Sequence, residues 1–360
     1  MQIKVPGKLY ISGEYAVVEN GQSAILVAID RFVFADITAN LVGEIHSTQA
    51  PTEITTWTLS DNEIILQETP SLTLINAALK VTYNYFRLHN WPFQPFKLLI
   101  DSQLDADDGT KYGLGSSAAV CVSVVKAILA FHFRHLPTQT IYKLASLAHF
   151  TIQKNGSLGD VAASVYTGWI SYNSPNRTWL SAQTADLLDA TLVDQSWPDL
   201  NIQSIPAPNA LSLLVGWTGS PAKTGDILKK IDRQKYPAIY QDFLIASNAA
   251  VSMIINGLLT NNYDDVVRGI ALNREFLLSL SQAANLQIET PLLRTLIEIA
   301  NNLGGAAKTS GAGFGDSGIA LVDEHTNVDQ ILISWQAAGI IPLSVKPYHE
   351  SIAILAESEE

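Results

Sequence analysis

Apolar and polar positions alternate, with β-branched and aromatic types dominating, over residues 3–5, 25–29, 32–37, 96–101 and 165–172, and each run predicts a strand. Helical spacing of apolar residues runs over 72–86, 118–133 and 141–153, the last behind Thr138 as N-cap candidate. Residues 173–209 break this rhythm: they are polar and carry Trp197-Pro198-Asp199 and Pro206-Ala207-Pro208. A domain junction is expected there, dividing the chain into 1–205 and 206–360. Beyond it the pattern predicts a strand at 211–217 and helices over 237–259 and 264–280. A third helix, with Thr290 as N-cap and Pro291 at the first helical position, runs to 303. Strands at 318–322, 340–345 and 351–355 close the chain. Strands and helices mix without strict βαβ alternation, which favours an α+β architecture over a doubly wound parallel sheet.

At 360 residues, two domains of the usual size of about 150 residues are expected. The net charge of −12 argues against a nucleic-acid binder, whose affinity comes from Lys and Arg contacts to phosphates. The single cysteine, Cys121, allows no intramolecular disulfide and suits a reducing compartment. The N-terminus shows no apolar signal core. The most apolar run, 118–133, is broken by Lys126 and is shorter than the roughly 20 residues of a membrane span. A cytoplasmic chain with no membrane or nucleic-acid partner, monomeric or homodimeric, is the expectation.

Candidate chemistry gathers in three glycine-rich segments: Pro6-Gly7-Lys8-Leu9-Tyr10-Ile11-Ser12-Gly13-Glu14-Tyr15, Lys111-Tyr112-Gly113-Leu114-Gly115-Ser116-Ser117-Ala118, and Lys308-Thr309-Ser310-Gly311-Ala312-Gly313-Phe314-Gly315-Asp316-Ser317-Gly318. In the second, Gly113 and Gly115 let backbone N–H groups converge on an anion, and Ser116 and Ser117 open a helix whose dipole favours negative charge. A plain Ser N-cap after a glycine turn fits the same residues. Each segment holds an isolated lysine, Lys8, Lys111 or Lys308, as expected of point charges aimed at a polyanion. Asp160, in Gly156-Ser157-Leu158-Gly159-Asp160, is expected in a glycine-flanked loop, where a functional carboxylate and an Asx-turn residue are equally good readings.

Other motifs fail on context. Gly313-Phe314-Gly315-Asp316-Ser317-Gly318 spells a dinucleotide fingerprint, but a helix precedes it and a strand follows. Its Gly315-Asp316-Ser317-Gly318 portion matches the nucleophile segment of trypsin-like proteases, which are all-β, by chance. No Gly-Lys-Ser/Thr occurs, so there is no Walker A loop. His132 and His135 lie three apart with no third ligand nearby, and Cys121 reads as a buried small hydrophobe.

In order, spacing and wording, the three segments resemble the GHMP kinase superfamily of small-molecule kinases, a likeness running from Lys4 to beyond Ile319. Lys111 before Gly113, Tyr15 after Glu14, Gly156–Asp160 and Val215-Gly216-Trp217-Thr218-Gly219-Ser220-Pro221 are similar to its phosphomevalonate kinase branch. The resemblance implies a two-domain fold, ribosomal-S5-like then ferredoxin-like, with the active site between. It implies ATP and Mg²⁺, with 5-phosphomevalonate as small-molecule substrate; mevalonate kinase or another GHMP small-molecule kinase is the alternative. Carried over by position, Gly113, Leu114, Gly115, Ser116, Ser117 and Ala118 would wrap the ATP phosphates, and Ser117 would help hold Mg²⁺. Lys8 would bridge the two phosphates, and Asp160 would take the catalytic aspartate position. Ser12, Glu14, Tyr15, Lys111, Ser157, Ser220, Gly311 and Ala312 would bind the acceptor. The second metal-ligating carboxylate of mevalonate kinases would fall near His149, where this chain has none.

A phosphate monoester has a second pKa of about 6, so at pH 7 it is largely dianionic and has little proton to lose. The expected role of Asp160 is therefore to orient Lys8, not to act as a required base.

Overall fold

The computed structural model describes the chain apart from residues 61–62, 68, 107–109, 155, 184–188, 209, 220–235 and 351–360. The predicted strand at 351–355 and the candidate Ser220 lie outside the described residues.

Eight strands form the first sheet: β1 (Gln2–Ser12), β2 (Ser23–Ala39), β3 (Gly43–Ser47), β4 (Ile54–Ser60), β5 (Glu63–Gln67), β6 (Phe96–Ser102), β7 (Trp169–Asn173) and β8 (Asn201–Ile205). Their order is β5-β4-β3-β6-β2-β7-β8, with β1 paired along β2, and every pairing is antiparallel except β3 with β6. The long β2 is buried nearly throughout its first half because it has partners on both edges: β1 on one, and β7 then β6 on the other. Helices α1 (Thr73–Leu88), α2 (Ser116–Phe131), α3 (Thr138–Gln153) and α4 (Gly159–Tyr166) pack together, and α2 and α4 lie against β1 and β2. The α2 helix is apolar on nearly every side and accordingly buried, with Cys121 sealed inside.

Short helices α5 (Arg177–Gln183) and α6 (Thr191–Asp194) occupy the polar stretch before β8. A second sheet, ordered β10-β11-β9-β12, is wholly antiparallel and comprises β9 (Leu211–Trp217), β10 (Ala306–Thr309), β11 (Ser317–Asp323) and β12 (Ile341–Leu343). Around it lie α7 (Pro237–Thr260), α8 (Tyr263–Ala283), α9 (Pro291–Asn302) and α10 (Val328–Ala337). The chain then returns to the first sheet, where Gly168 N–H donates to the Tyr348 carbonyl and Tyr348 N–H to the Ala28 carbonyl.

Several sequence expectations need correction. The predicted strand at 165–172 is the end of α4 followed by β7, because Thr167 and Gly168, at φ 57° and 63°, turn the chain between them. Asp160 therefore stands in the first turn of a helix and not in a loop. Thr138 is the first residue of α3, and Pro137 holds the cap position. The strand predicted over 340–345 shortens to β12. The run 118–133 is not the apolar segment nearest to a membrane span: α7 is, with 24 residues and mean hydropathy 1.6, and it packs along α8 with half of that window buried.

Candidate active site

The three glycine-rich segments meet at the seam between the two sheets. The first runs along β1, whose register slips between Pro6 and Gly7. That slip sets the β1 backbone against the second segment, where Lys8 N–H donates to the Leu114 carbonyl over 2.8 Å. Ser310 of the third segment clasps Tyr10 of the first: its Oγ accepts from Tyr10 N–H at 3.0 Å and donates to the Tyr10 carbonyl at 2.8 Å. Ser317 Oγ donates to the Tyr112 carbonyl over 3.0 Å, and the Tyr112 and Trp217 rings meet edge to face.

Gly113 and Gly115 have φ of 76° and 84°, in the left-handed region that favours glycine. Space makes the same demand. A Cβ on Gly113 would lie 2.8 Å from the Asp316 carboxyl carbon, and one on Gly115 would lie 2.9 Å from the Lys8 Cγ and Cε. The Lys8 stem thus lies directly over Gly115, and its Nζ donates to the Gly113 carbonyl at 3.2 Å. Gly115 is the N-cap of α2, so the lysine head sits beside the first turn of a helix with unsatisfied N–H groups.

The Lys8 ammonium is buried and feels the Asp160, Asp316 and Glu14 carboxylates, in that order of strength. Burial dominates nevertheless and holds its pKa below the ordinary 10.5. The Tyr10 ring lies under the ammonium, with Nζ 5.4 Å from its centroid, and burial followed by Asp160 pushes the phenol pKa up.

Of the two serines opening α2, Ser116 turns inward. Its Oγ donates to Asp105 Oδ2 at 2.9 Å, as does Ser102 Oγ at 3.1 Å, so a carboxylate braces the glycine loop from behind. Ser117 Oγ lies 3.3 Å from His149 Nε2, and that same nitrogen lies 3.9 Å from Asp160 Oδ2. Asp160 Oδ1 accepts from Val161 N–H at 2.9 Å.

The other candidates separate by exposure and partners. Ser157 Oγ shares a 2.8 Å hydrogen bond with Tyr10 Oη and accepts from Gly159 N–H, beside the Asp160 turn. A Cβ on Gly311 would meet nothing within 4 Å, so that backbone faces open space. Tyr15 is buried at φ 63°, and its hydroxyl donates to the Ala312 carbonyl. Glu14 Oε1 accepts from Lys308 Nζ at 2.5 Å and from Gly311 N–H at 3.2 Å, so this carboxylate holds the third segment in place. Ser12 is fully enclosed and faces the interior. Lys111 is exposed, and its backbone bridges Asp105 where the loop begins.

The expectation of three lysines aimed at an anion therefore needs amending. Lys308 has no exposed surface and faces Glu14 and the Thr309 carbonyl. Sequence reasoning does not single out Asp316, Tyr10, Asp105 or Ser310 as site residues. Asp316 lies in a segment already singled out, and its place beside three glycines was the available signal. Asp105 carries no signal in sequence, because its role depends on the turn that returns it to Ser116. His132 uses both ring nitrogens inside the protein, Nε2 accepting from Gln94 N–H and Nδ1 donating to the Ile128 carbonyl, which removes it as a metal ligand.

Mg²⁺ accepts one or two protein oxygens and completes its shell with phosphate and water. Ser117 Oγ and an Asp160 carboxylate oxygen, both beside the His149 Nε2, fit that demand. Among the described residues no group of three His, Cys, Asp or Glu side chains forms a metal cluster, so the protein offers the ion little by itself.

The GHMP kinases N terminal domain matches residues 73–168, and the GHMP kinases C terminal domain matches 254–341. The chain is 34% identical to a phosphomevalonate kinase of Streptomyces sp. (strain CL190), over 96% of this chain and 97% of that one. Among solved structures, the Lin0012 protein from Listeria innocua superimposes with a TM-score of 0.91 at 32% identity, covering 97% of this chain and 98% of that one. The Streptococcus pneumoniae phosphomevalonate kinase, in complex with phosphomevalonate and AMPPNP, has a TM-score of 0.83 at 28% identity and covers 97% and 100%.

Proposed function

The chain belongs to the GHMP kinase superfamily, with that family's two-domain mixed α/β fold, and from this premise we propose that it transfers the γ-phosphoryl group of ATP to 5-phosphomevalonate, giving 5-diphosphomevalonate. The observation that carries the reading is the Lys8 ammonium, buried beside the glycine loop and the α2 N-terminus and within the field of the Asp160, Asp316 and Glu14 carboxylates. A lysine has three donors. Donation to the Gly113 carbonyl leaves Lys8 capacity for acceptor oxygens on both reactants.

In this reading the loop from Gly113 to Ala118 and the first turn of α2 bind the triphosphate. Gly311, with Ser157 and the exposed Lys111, faces the acceptor. Ser117 and Asp160 would hold Mg²⁺, which when bound neutralises charge on the phosphates. An oxygen of the acceptor phosphate attacks the γ-phosphorus. A new P–O bond forms as the bond to the β–γ bridging oxygen breaks, and that electron pair leaves with ADP. The acceptor dianion has no proton to give up, so no general base is required. Asp160 orients the Lys8 ammonium by its charge, the strongest that Lys8 feels from any carboxylate. Two polyanions brought together in a partly dry cleft repel strongly, and Lys8 offsets that repulsion where charge develops in the transition state.

A coupled ADP-release assay run in parallel on phosphomevalonate, mevalonate, homoserine and galactose tests the proposal. ADP production with phosphomevalonate alone is expected. Faster turnover of mevalonate would make the chain a mevalonate kinase, and nucleotide binding without ADP from any acceptor would make it a catalytically dead relative.

A further inference from the structure

The seam contains a buried histidine that the mechanism above does not use. His149 of α3 is buried, and its Nε2 stands between Ser117 Oγ at 3.3 Å and Asp160 Oδ2 at 3.9 Å. Its Nδ1 is buried and has no hydrogen-bond partner among the described residues. A histidine kept only for packing would gain from an apolar ring of the same size, because an unpaired buried nitrogen is unfavourable. All the polar work of this ring falls on Nε2, and Nε2 faces two functional oxygens.

Those oxygens come from different helices. Ser117 is the second residue of α2 and Asp160 the second residue of α4, and α3 packs against both helices. Asp160 Oδ1 is fixed by its own first turn through Val161 N–H, whereas His149 is the neighbour that the structure gives to Oδ2. The ring is therefore the joint that relates the Ser117 hydroxyl to the Asp160 carboxylate. It does so without adding a negative charge to a corner where Lys8 already faces Asp160, Asp316 and Glu14.

We propose that His149 is a positioning residue for phosphoryl transfer, its Nε2 holding Ser117 Oγ and Asp160 Oδ2 in register across the α2 and α4 helix starts. This rests on the kinase reading above. The ring touches neither reactant: it acts through the two side chains that do.

The test pairs His149→Phe, which keeps the ring volume and removes Nε2, with His149→Gln, whose amide nitrogen can take the Nε2 place. Kinetics with phosphomevalonate are measured beside calorimetric binding of a non-hydrolysable ATP analogue with Mg²⁺, and beside thermal melting. For His149→Phe, kcat is expected to fall by about 10- to 100-fold, as on losing a supporting hydrogen bond behind a ligand. KM, analogue affinity and Tm should hold. His149→Gln should recover most of kcat, and His149→Phe should cost little more in an Asp160→Asn background, because residues acting as one unit are not additive. If the Phe variant does not fold, His149→Asn, whose amide reaches only toward the Nδ1 end, replaces it with the same expectation. A Gln variant no better than Phe, a kcat loss that tracks a fall in Tm, or full additivity with Asp160→Asn would each overturn the proposal. Wild-type turnover with unaffected His149 variants would sink this inference and leave the kinase reading standing. Wild type inert toward every acceptor would remove both.

Discussion

Two buried lysines, each the cation of a glycine-rich segment, have opposite fates. Lys308 on β10 is fully enclosed and pairs with Glu14 Oε1 at 2.5 Å, and Glu14 is itself enclosed. Lys8 on β1 is nearly as buried, yet it donates to a backbone carbonyl and meets its carboxylates only through their charge. Burial lowers the pKa of both, but the close carboxylate that offsets it for Lys308 is absent at Lys8. One lysine is structural cement between the first and third segments. The other is an under-compensated cation at the mouth of a helix, which is what a polyanion needs to find. Isolation in sequence is common to both, so the sequence alone does not distinguish them. The difference lies in whether a carboxylate is within hydrogen-bond reach.

The largest expected effect breaks the comparison from the Lys8 side. Lys8→Met should lower kcat by about 10³-fold, the scale for losing a preorganised charge on the transition state. Tm should stay within about 2 °C, on the order of 1 kcal/mol for a chain of this size, because no hydrogen-bonded ion pair is broken. Coupled ADP release and a melting curve check both halves. A collapse of Tm would place Lys8 with Lys308 as cement.

Lys308→Met should do the reverse. Removing one partner of a buried ion pair leaves Glu14 charged and unpaired, at a cost of about 3–5 kcal/mol. Denaturant unfolding measures it. The double variant Lys308→Met with Glu14→Gln should recover most of that loss, since the uncompensated charge goes with it. If the double variant is no more stable than the single, the pair is not what joins the segments.

These two residues also mark how far the sequence could be read. The three segments, their order and the elements flanking them were visible because glycine spacing and apolar periodicity are local properties. The α2 start at Ser116, and Gly113 and Gly115 as the bends before it, followed from that. What could not be read was which polar groups satisfy each other over long separations. The Lys308–Glu14 pair spans 294 positions, and the Ser310 clasp on Tyr10 spans 300. Asp160 reads in sequence as a loop residue, because the short helix α4 begins at glycine, a poor helix former, and packs against β1 and β2. Strands β3, β4 and β5 are not legible in the sequence, although Ile54–Ser60 is rich in β-branched residues, because residue type and burial are out of step there: Thr55 is buried while Ile54, Leu59 and Ile65 are exposed.

The smallest effect sharpens the comparison by pH. In the proposed mechanism activity needs the Lys8 ammonium, and burial, outweighing the carboxylates, holds its pKa below 10.5. The pH dependence of kcat/KM reports the free enzyme. It should show a basic limb below 10.5, falling by at most about tenfold per pH unit as one proton is lost. Stability should move the other way. Between the lowered pKa and 10.5 the unfolded chain holds the proton and the folded one does not, so unfolding takes up a proton and stability rises with pH. Lys308 contributes to that rise with the same sign, its pKa being lowered too, but it contributes nothing to the kinetic limb. The Lys308→Met, Glu14→Gln double variant should therefore keep the limb near its wild-type position, since one charge of each sign disappears together, while its stability gains less as pH rises. A limb that vanishes in the double variant would show that Lys308, not Lys8, carries the proton on which turnover depends.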